Sequence, residues 1–475
     1  MSINSRRNFL NGIIGGGLGL GALSTLSFVP KEKRTRVSSK TLPIYNDLDI
    51  CVLGGSCTGV FAAVRAARLG ANVAIVEKQN AFGGVATSAM VNIWHSLLDT
   101  EFKQQIIAGL TQETMDRLSS RNAVVKSGKS ESAGFTFNSQ ELKIELDELI
   151  LESGIHPYLH TLFSEPWIDK DGNLAGVIVD NKSGRGIIKA KYFIDATGDG
   201  DLCTRLGLES YRHDLLQPPT TCAHFEGWDT NEFYAVLKDH RAEFNIPEGF
   251  VWGANLPQTK TYMLAGTRVY NVNCAIADDL TKAEMEGRRQ IRAMMDMMRK
   301  YGSPNKLGLT GLSSQIGIRE TRHIKCLYQV SDQDALYGKR FDDAIANGSY
   351  RLDLHHQDKP GLTFKYLDGT EVYSRPGYPA EKKRWRENTP TNPTFYQVPL
   401  RSLIPPTFNN LILAGRMFDA GSIAFSGIRV MVNMNQLGEA AGVTSYLALS
   451  GSKSIQNIKS QDVRDALKKG GSVII

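Results

Sequence analysis

The residues from Asp49 to Ser88 read DICVLGGSCTGVFAAVRAARLGANVAIVEKQNAFGGVATS, and their order decides the fold. A short apolar run, 50–53, suits a buried strand, and the glycines Gly54 and Gly55 make a tight turn after it. A helix pattern follows over 58–69, with small residues along one side, until Gly70 ends it. A second apolar run, 73–76, leads into the acid Glu77 and then Lys78. Strand, turn, helix, strand and acid at this spacing is the opening unit of a dinucleotide-binding domain. Gly54 provides the sharp turn, and Gly59 lets the helix lie close to the sheet. Ser56 and Thr58 stand at the helix start, where unpaired N–H groups and the positive end of the helix dipole face a pyrophosphate. Ser56 replaces the middle glycine of the usual pattern. Glu77 is placed to accept ribose hydroxyls, and its charge disfavours a 2′-phosphate.

Beyond the acid the chain continues through Phe82, Gly83, Gly84, Val85, Ala86, Thr87 and Ser88. This Glu-Lys-x4-Gly-Gly-x-Ala-Thr-Ser run resembles the second FAD-contacting segment of FAD-dependent oxidoreductases of the glutathione-reductase structural class, related to the fumarate-reductase-type flavoproteins. The resemblance extends to a third segment, Ala196-Thr197-Gly198-Asp199-Gly200-Asp201, after an apolar strand ending at Asp195. A fourth, Ala414-Gly415-Arg416, follows the apolar run 411–413. It is succeeded by Ser426-Gly427-Ile428-Arg429 and by Gln436-Leu437-Gly438, which is expected to open the last core helix. The resemblance implies that Gly54, Gly55, Ser56, Thr58, Gly59, Glu77, Lys78, Gly83, Gly84, Thr87, Ala196, Gly198, Asp199, Gly415, Arg416, Gly427, Arg429 and Gly438 hold FAD.

The remaining properties bound this reading. The 475 residues are enough for two or three domains, and 41% hydrophobic with 22% charged residues is ordinary for a globular chain. A net charge of +6, without basic stretches interleaved with aromatics, gives no sign of nucleic-acid binding. The six cysteines contain no C-x-x-C pair, so neither a zinc knuckle nor a dithiol motif is supported, and disulfide pairing stays open.

Residues 1–30 form a targeting segment. Ser5-Arg6-Arg7-Asn8-Phe9-Leu10 matches a twin-arginine export pattern ahead of a glycine-rich apolar run over 12–29. It implies export to the periplasm of a chain already folded around its cofactor, with the segment either cleaved or kept as a membrane anchor. A polar linker covers 31–46.

Further along, His95 follows the cofactor segment and is either a proton carrier or a cofactor hydrogen-bonding partner. A helix is expected over 139–153 and a strand over 157–163. The family's Gly-x-Arg-Glu-Thr/Ser-Arg motif is matched by Gly317-Ile318-Arg319-Glu320-Thr321-Arg322. Arg319 or Arg322 would hold a carboxylate or stabilise a reduced flavin. Asp353-Leu354-His355-His356 lacks companion ligands at metal spacing, so no metal is assigned, and one of its histidines is expected to reach the substrate.

The expected architecture is α/β. A Rossmann-like FAD-binding domain is built from 47–206 and 401–450, with an inserted α+β substrate or cap domain at 207–400 and a tail at 451–475. The resemblance implies dehydrogenation of a polar small molecule (a sugar, hydroxy acid or amine) with FAD as hydride acceptor. An external quinone, oxygen or small redox protein would then take the electrons. The alternatives are reduction of an activated C=C bond and a non-catalytic flavin-binding protein. No second glycine turn with strand and acid follows, so no separate nicotinamide site is expected.

Overall fold

The run 50–53 is apolar at every position, which suits a strand covered on both faces, and the strand it belongs to, Ile44–Leu53, lies in the middle of a seven-stranded sheet. The computed structural model describes residues 42–129, 134–303, 306–375 and 378–475. The twin-arginine segment and the linker as far as residue 41 lie outside the described residues.

Ile44–Leu53 pairs in parallel with Val73–Val76 on one side and with Gly184–Asp195 on the other. His156–Tyr158 extends the sheet beyond Val73–Val76, and Leu411–Leu413 joins the end of Gly184–Asp195, both in parallel. The outer hairpin strands Leu174–Asn181 and Leu162–Ile168 are antiparallel. The expected strand over 157–163 is therefore two strands on opposite edges of the sheet, broken where His160 takes a left-handed φ of 48°. The helix expected over 139–153 runs Ser139–Glu152, with the Asn138 side chain accepting from the Gln140 N–H at its start.

Two helices cross on one face of the sheet: Cys57–Arg68 and Met431–Gly451. Their backbones approach so closely that a Cβ on Gly438 would lie 2.1 Å from the Thr58 carbonyl oxygen, and one on Gly442 would lie 2.2 Å from that of Ala62. The glycines at 438 and 442 thus serve the crossing. The helix starts at Met431, ahead of the expected opening at Gln436, because residues 432–436 are already buried and carry no glycine or proline to interrupt it. The buried Arg65 guanidinium closes this crossing by pairing with Glu439, which is 1% exposed and also accepts from the Leu110 N–H.

The segment 207–400, expected as one inserted domain, is shared between hydrophobic cores. Trp252–Asn255, Tyr262–Ala265, Cys222–Glu226 and Gly308–Leu312 form an antiparallel sheet under the helix Ala277–Tyr301, with a core of its own around Phe225, Phe233, Met294 and Met297. Residues from Ile324 to Leu403 instead bury apolar side chains in the main core. There Leu352–His355 begins a second antiparallel sheet that packs on the helix Ser422–Ile428. Residues 42–475 make one compact body. The expected tail contains the helix Ser460–Lys469, whose Val463 and Leu467 are buried in the main core. No helix among the described residues is long and apolar enough to cross a membrane.

A buried charge cluster ties the motif around Arg319 to the C-terminal return. Glu320 accepts from His213 Nδ1 at 2.5 Å and lies 3.4 Å from His323 Nε2. The other nitrogens of these rings reach the backbone carbonyls of Ala420 and Phe418 at 3.1 and 2.9 Å. Burial opposes the charge on Glu320, but the two imidazoles hold its pKa at about 2. Burial likewise opposes charge on His213, and Glu320 outweighs it, raising the ring above its ordinary 6.5.

Two outcomes follow from this packing. Gly442→Ala should lower stability by about 1–3 kcal/mol through overpacking at the crossing, read by chemical denaturation. The depressed Glu320 contributes fully above its unfolded value of 4.5 and loses its contribution as pH falls through about 2. The raised His213 contributes fully below 6.5 and loses its contribution as pH rises through its folded value. The pair is therefore strongest between 4.5 and 6.5, and His213→Gln should lower the Tm more at about pH 5.5 than at about pH 9 in thermal melts.

Candidate functional site

The parallel strands end at one edge of the sheet, in register at Leu53, Val76, Asp195 and Leu413. Each runs directly into one of the quoted motifs, which is why the motifs meet although they are far apart in the chain. The turn at Gly54 has φ of 101°, and a Cβ there would lie 2.3 Å from the Ala196 carbonyl oxygen, so the first and third loops touch backbone to backbone. Ser56 and Gly83 are bridged as in a parallel pair, which brings the second loop onto the first.

These loops open onto one cavity of about 450 Å³. Ser56, Thr58, Gly83, Ala196, Gly198, Gly415, Arg416 and Arg429 line it, as the sequence predicts. The helix Cys57–Arg68 starts at the cavity with no side-chain cap and no acid in its first turn. The helix Met431–Gly451 starts there in the same way, and Val430, Met431 and Asn435 line the wall. Each start leaves N–H groups without intrahelical partners and a partial positive charge aimed at one space. This donor set fits FAD: one helix start would take the pyrophosphate and the other the flavin carbonyls.

Other predicted residues brace the loops from behind. Glu77 accepts from the Gly55 N–H at 2.6 Å and the Gln79 N–H at 2.8 Å, so its carboxylate holds the glycine turn. Thr87 Oγ1 donates to the Phe82 carbonyl, and Gly84 lies against Ser56. Gly59 lies against the Gly54 carbonyl. Asp199 accepts from Arg416 Nη2 at 2.5 Å and from Thr321 Oγ1 at 2.7 Å. Burial opposes its ionisation, yet Arg416 and Thr321 bring its pKa below the ordinary carboxylate value. Lys78 is exposed and acts on Asp199 only through its charge. Gly427 packs against Leu352 and Gly438 against Thr58, both away from the cavity wall. The described cysteines are free thiols, and burial pushes Cys57, beside the Gly83 carbonyl, up to about 12.

The remaining wall comes from the strand Leu352–His355 and the motif around Arg319. His355 Nε2 lies 3.2 Å from Asp353 Oδ2, which also accepts from the Tyr350 hydroxyl at 3.1 Å and lies 3.4 Å from Arg429 Nη2. His355 Nδ1 is buried without a partner among the described residues. Burial, with the nearby Arg319 charge, pulls the ring well below its ordinary 6.5; burial also opposes ionisation of Asp353, but the His355 hydrogen bond and the Arg429 charge hold it far below the carboxylate range. His355 is therefore neutral, with a proton on Nε2 and a lone pair on Nδ1. His356, just past the strand, bonds Thr363 Oγ1 instead. Arg319 lines the cavity, whereas Arg322 is turned to Thr204 Oγ1 and the Ala275 carbonyl. His95 also lines the cavity and stacks on Tyr350 at 3.9 Å.

Sequence reading missed Asp353, Tyr350 and Arg351 as wall residues. The signal for Asp353 was present: positions 353 and 355 alternate onto one face of a strand. Among the described residues, the grouping with metal-ligand geometry is His213, Glu320 and His323, and the run 353–356 does not form one.

Removing the carboxylate in Glu77→Ala leaves the Gly55 N–H unpartnered in a buried turn. It should weaken FAD binding by about ten- to a hundredfold, read by titrating deflavinated protein with FAD.

Among curated proteins, the chain is 29% identical to a dihydrolipoyl dehydrogenase of Trypanosoma brucei brucei over 22% of its own length and 24% of the relative. It is 25% identical to a thiamine thiazole synthase of Pyrococcus horikoshii over 32% and 58% respectively. The chain thus spans about a quarter to somewhat over half of the length of these relatives. Among solved structures, a geranylgeranyl bacteriochlorophyll reductase-like protein of Thermoplasma acidophilum aligns with TM-score 0.44 and 13% identity, covering 89% of this chain and 83% of that one. A myxobacterial FAD-dependent chondrochloren halogenase aligns with TM-score 0.44 and 12% identity, covering 90% and 80%. Likeness at that level says nothing about chemistry. The family model of the FAD dependent oxidoreductases matches residues 49–467, a span that holds every loop of the cavity described above, and the chain belongs to that family.

Proposed function

We propose that this protein dehydrogenates a polar small molecule, a sugar, hydroxy acid or amine, at the cavity shared by the FAD loops and the strand Leu352–His355. The observation that carries this reading is His355 itself: a neutral imidazole in the cavity wall, whose Nδ1 is buried without a partner among the described residues. Oxidation of a C–OH group removes a proton from oxygen and a hydride from carbon. Bound FAD supplies the acceptor for the hydride. His355 Nδ1 takes the hydroxyl proton, and the molecule leaves as a carbonyl compound. Asp353 holds the ring in the required tautomer through Nε2 and favours the imidazolium that forms. Tyr350 and Arg429 keep Asp353 ionised and in place.

Reduction of a C=C bond would need a proton on the group facing the cavity. A ring held neutral with its lone pair at Nδ1 is built for the opposite transfer. The proposal extends to the remaining readings of the sequence. The twin-arginine segment would direct the folded flavoprotein out of the cytoplasm, and a quinone, oxygen or small redox protein would take its electrons.

Anaerobic stopped-flow mixing of the oxidised holoprotein with sugars, hydroxy acids and amines in turn should bleach the flavin band with at least one of these donor classes. His355→Ala should slow that bleaching by about 10²–10⁴-fold with flavin still bound. In the unaltered protein the rate should fall only as pH drops through the His355 pKa, well below 6.5, because protonation removes the Nδ1 lone pair. Reduced protein reoxidised by unsaturated acids, with no bleaching by any of the three donor classes, would overturn the direction proposed. A flavin inert to every donor and acceptor would favour a binding protein without turnover.

A further inference from the structure

The cavity wall carries more positive charge than the chain neutralises. Arg319 and Arg268 both donate through Nη1 to the same hydroxyl, Thr220 Oγ1, at 2.5 and 3.0 Å. Two guanidinium groups therefore sit one side chain apart with no carboxylate between them. Arg268 is 3% exposed, its Nη2 has no partner among the described residues, and its other side-chain bond is to the Thr267 carbonyl. Arg351, on the cavity wall, stacks on Phe364 at 3.6 Å, bonds the Tyr366 hydroxyl and leaves Nε without a partner among the described residues. Among the described residues none of these three makes an ion pair. Arg429 has only Asp353, at 3.4 Å, and that carboxylate is already shared with His355 and Tyr350.

Like charges packed together in a buried wall are unfavourable unless an anion completes them. Burial, followed by the charges of Arg268 and Arg429, pulls the Arg319 guanidinium well below its ordinary range, and burial brings Arg268 to about 10. FAD brings its own negative charge on the pyrophosphate, which the helix start at Ser56 and Thr58 is placed to receive. Arg416, in the loop after Gly415, already has Asp199. The cluster around Thr220 is left without a counter-charge.

We infer that Arg319, Arg429 and Arg351, with Arg268 behind Thr220, form a carboxylate-binding site, so that the molecule oxidised at His355 is a small hydroxy-acid anion. This deepens the dehydrogenation proposed above and rests on it for the fate of the bound acid, while the binding itself stands apart from turnover. Arg319 and Arg429 reach the cavity and would contact the carboxylate, with guanidinium forks suited to its two oxygens. Arg268 acts through Thr220 and Arg319 and is a positioning residue. The hydroxyl carbon of the same molecule is then held toward His355 Nδ1, and the balance is that of the proposed step: hydride to FAD, proton to His355, oxo acid released.

The experiment titrates the oxidised holoprotein with lactate, malate and succinate, and with glycerol and glucose as uncharged controls, following the flavin difference spectrum. Succinate has the charge without the hydroxyl, so it reads binding without oxidation. The three acids should perturb the spectrum saturably, and the uncharged compounds should not. Arg319→Gln should weaken succinate binding by about tenfold or more, with flavin content and flavin midpoint potential unchanged. Arg268→Lys, which keeps the buried charge but not the planar fork, should weaken it by a smaller factor without loss of fold. Perturbation by glycerol or glucose to the same extent as by the acids would overturn the proposal. So would a fully loaded holoprotein that none of the acids perturbs. A shift in flavin potential in Arg319→Gln with succinate affinity unchanged would assign the cluster to the flavin and equally overturn it. Binding of succinate and lactate without bleaching by lactate would leave the anion site standing and remove the dehydrogenation reading instead.

Discussion

The close crossing of the helices Cys57–Arg68 and Met431–Gly451 is the constraint on which the site depends. Gly438 and Gly442 admit the carbonyls of Thr58 and Ala62 where any side chain would collide. The crossing therefore places both helix starts beside one cavity, and the buried Arg65–Glu439 pair ties the two helices together. Because the second helix belongs to the C-terminal return, the chain completes its cofactor domain only after everything between residues 207 and 400 has been laid down. The parallel pairing of Leu411–Leu413 with the end of Gly184–Asp195 has the same effect on the sheet side. Both contacts are non-local, so the fold and the site form together.

Charge is distributed in this site by function. On the cofactor side, positive potential comes from helix starts, which are neutral overall and cost little to bury. Arg416, the side-chain cation there, is matched by Asp199. Around Thr220 it comes from the guanidinium groups of Arg319 and Arg268, which make no ion pair among the described residues, near a histidine that burial and those same charges keep neutral. A neutral His355 and a cationic wall are two consequences of one arrangement: the arginines that attract an anion also depress the pKa of the base beside it. Asp353 is the exception that makes the arrangement usable, because it fixes the histidine tautomer while offsetting only part of the wall.

Much of the cofactor half was legible in the sequence for a local reason. Turn, helix and strand each follow from neighbours within a few residues, and the loop order copies the strand order. The helix at Cys57–Arg68 and the acid at Glu77 stand where the spacing puts them. The inserted half was less legible. Residues 318–322 belong to no regular element, so no periodicity told Arg319 from Arg322, three positions on. Gly438 looked like a cofactor glycine because a crossing glycine and a cofactor glycine have the same composition around them. The segment past residue 451 read only as a tail because its amphipathic helix, Ser460–Lys469, is short, and only the core that receives Val463 and Leu467 gives it a place.

By itself the sequence determined the α/β sheet, the FAD loops and their meeting at the strand ends, because strand–turn–helix units encode their own geometry over short distances. Tertiary structure alone decided which side chains share the cavity with those loops. Thr220, Arg268, Arg319, Asp353 and Arg429 come from separate elements, and nothing in local periodicity brings two of them to one hydroxyl or leaves a histidine nitrogen bare. The net charge of the wall, and with it the chemistry of what can enter, is a property of that assembly: an ion pair forms or fails to form only when packing has set the distances.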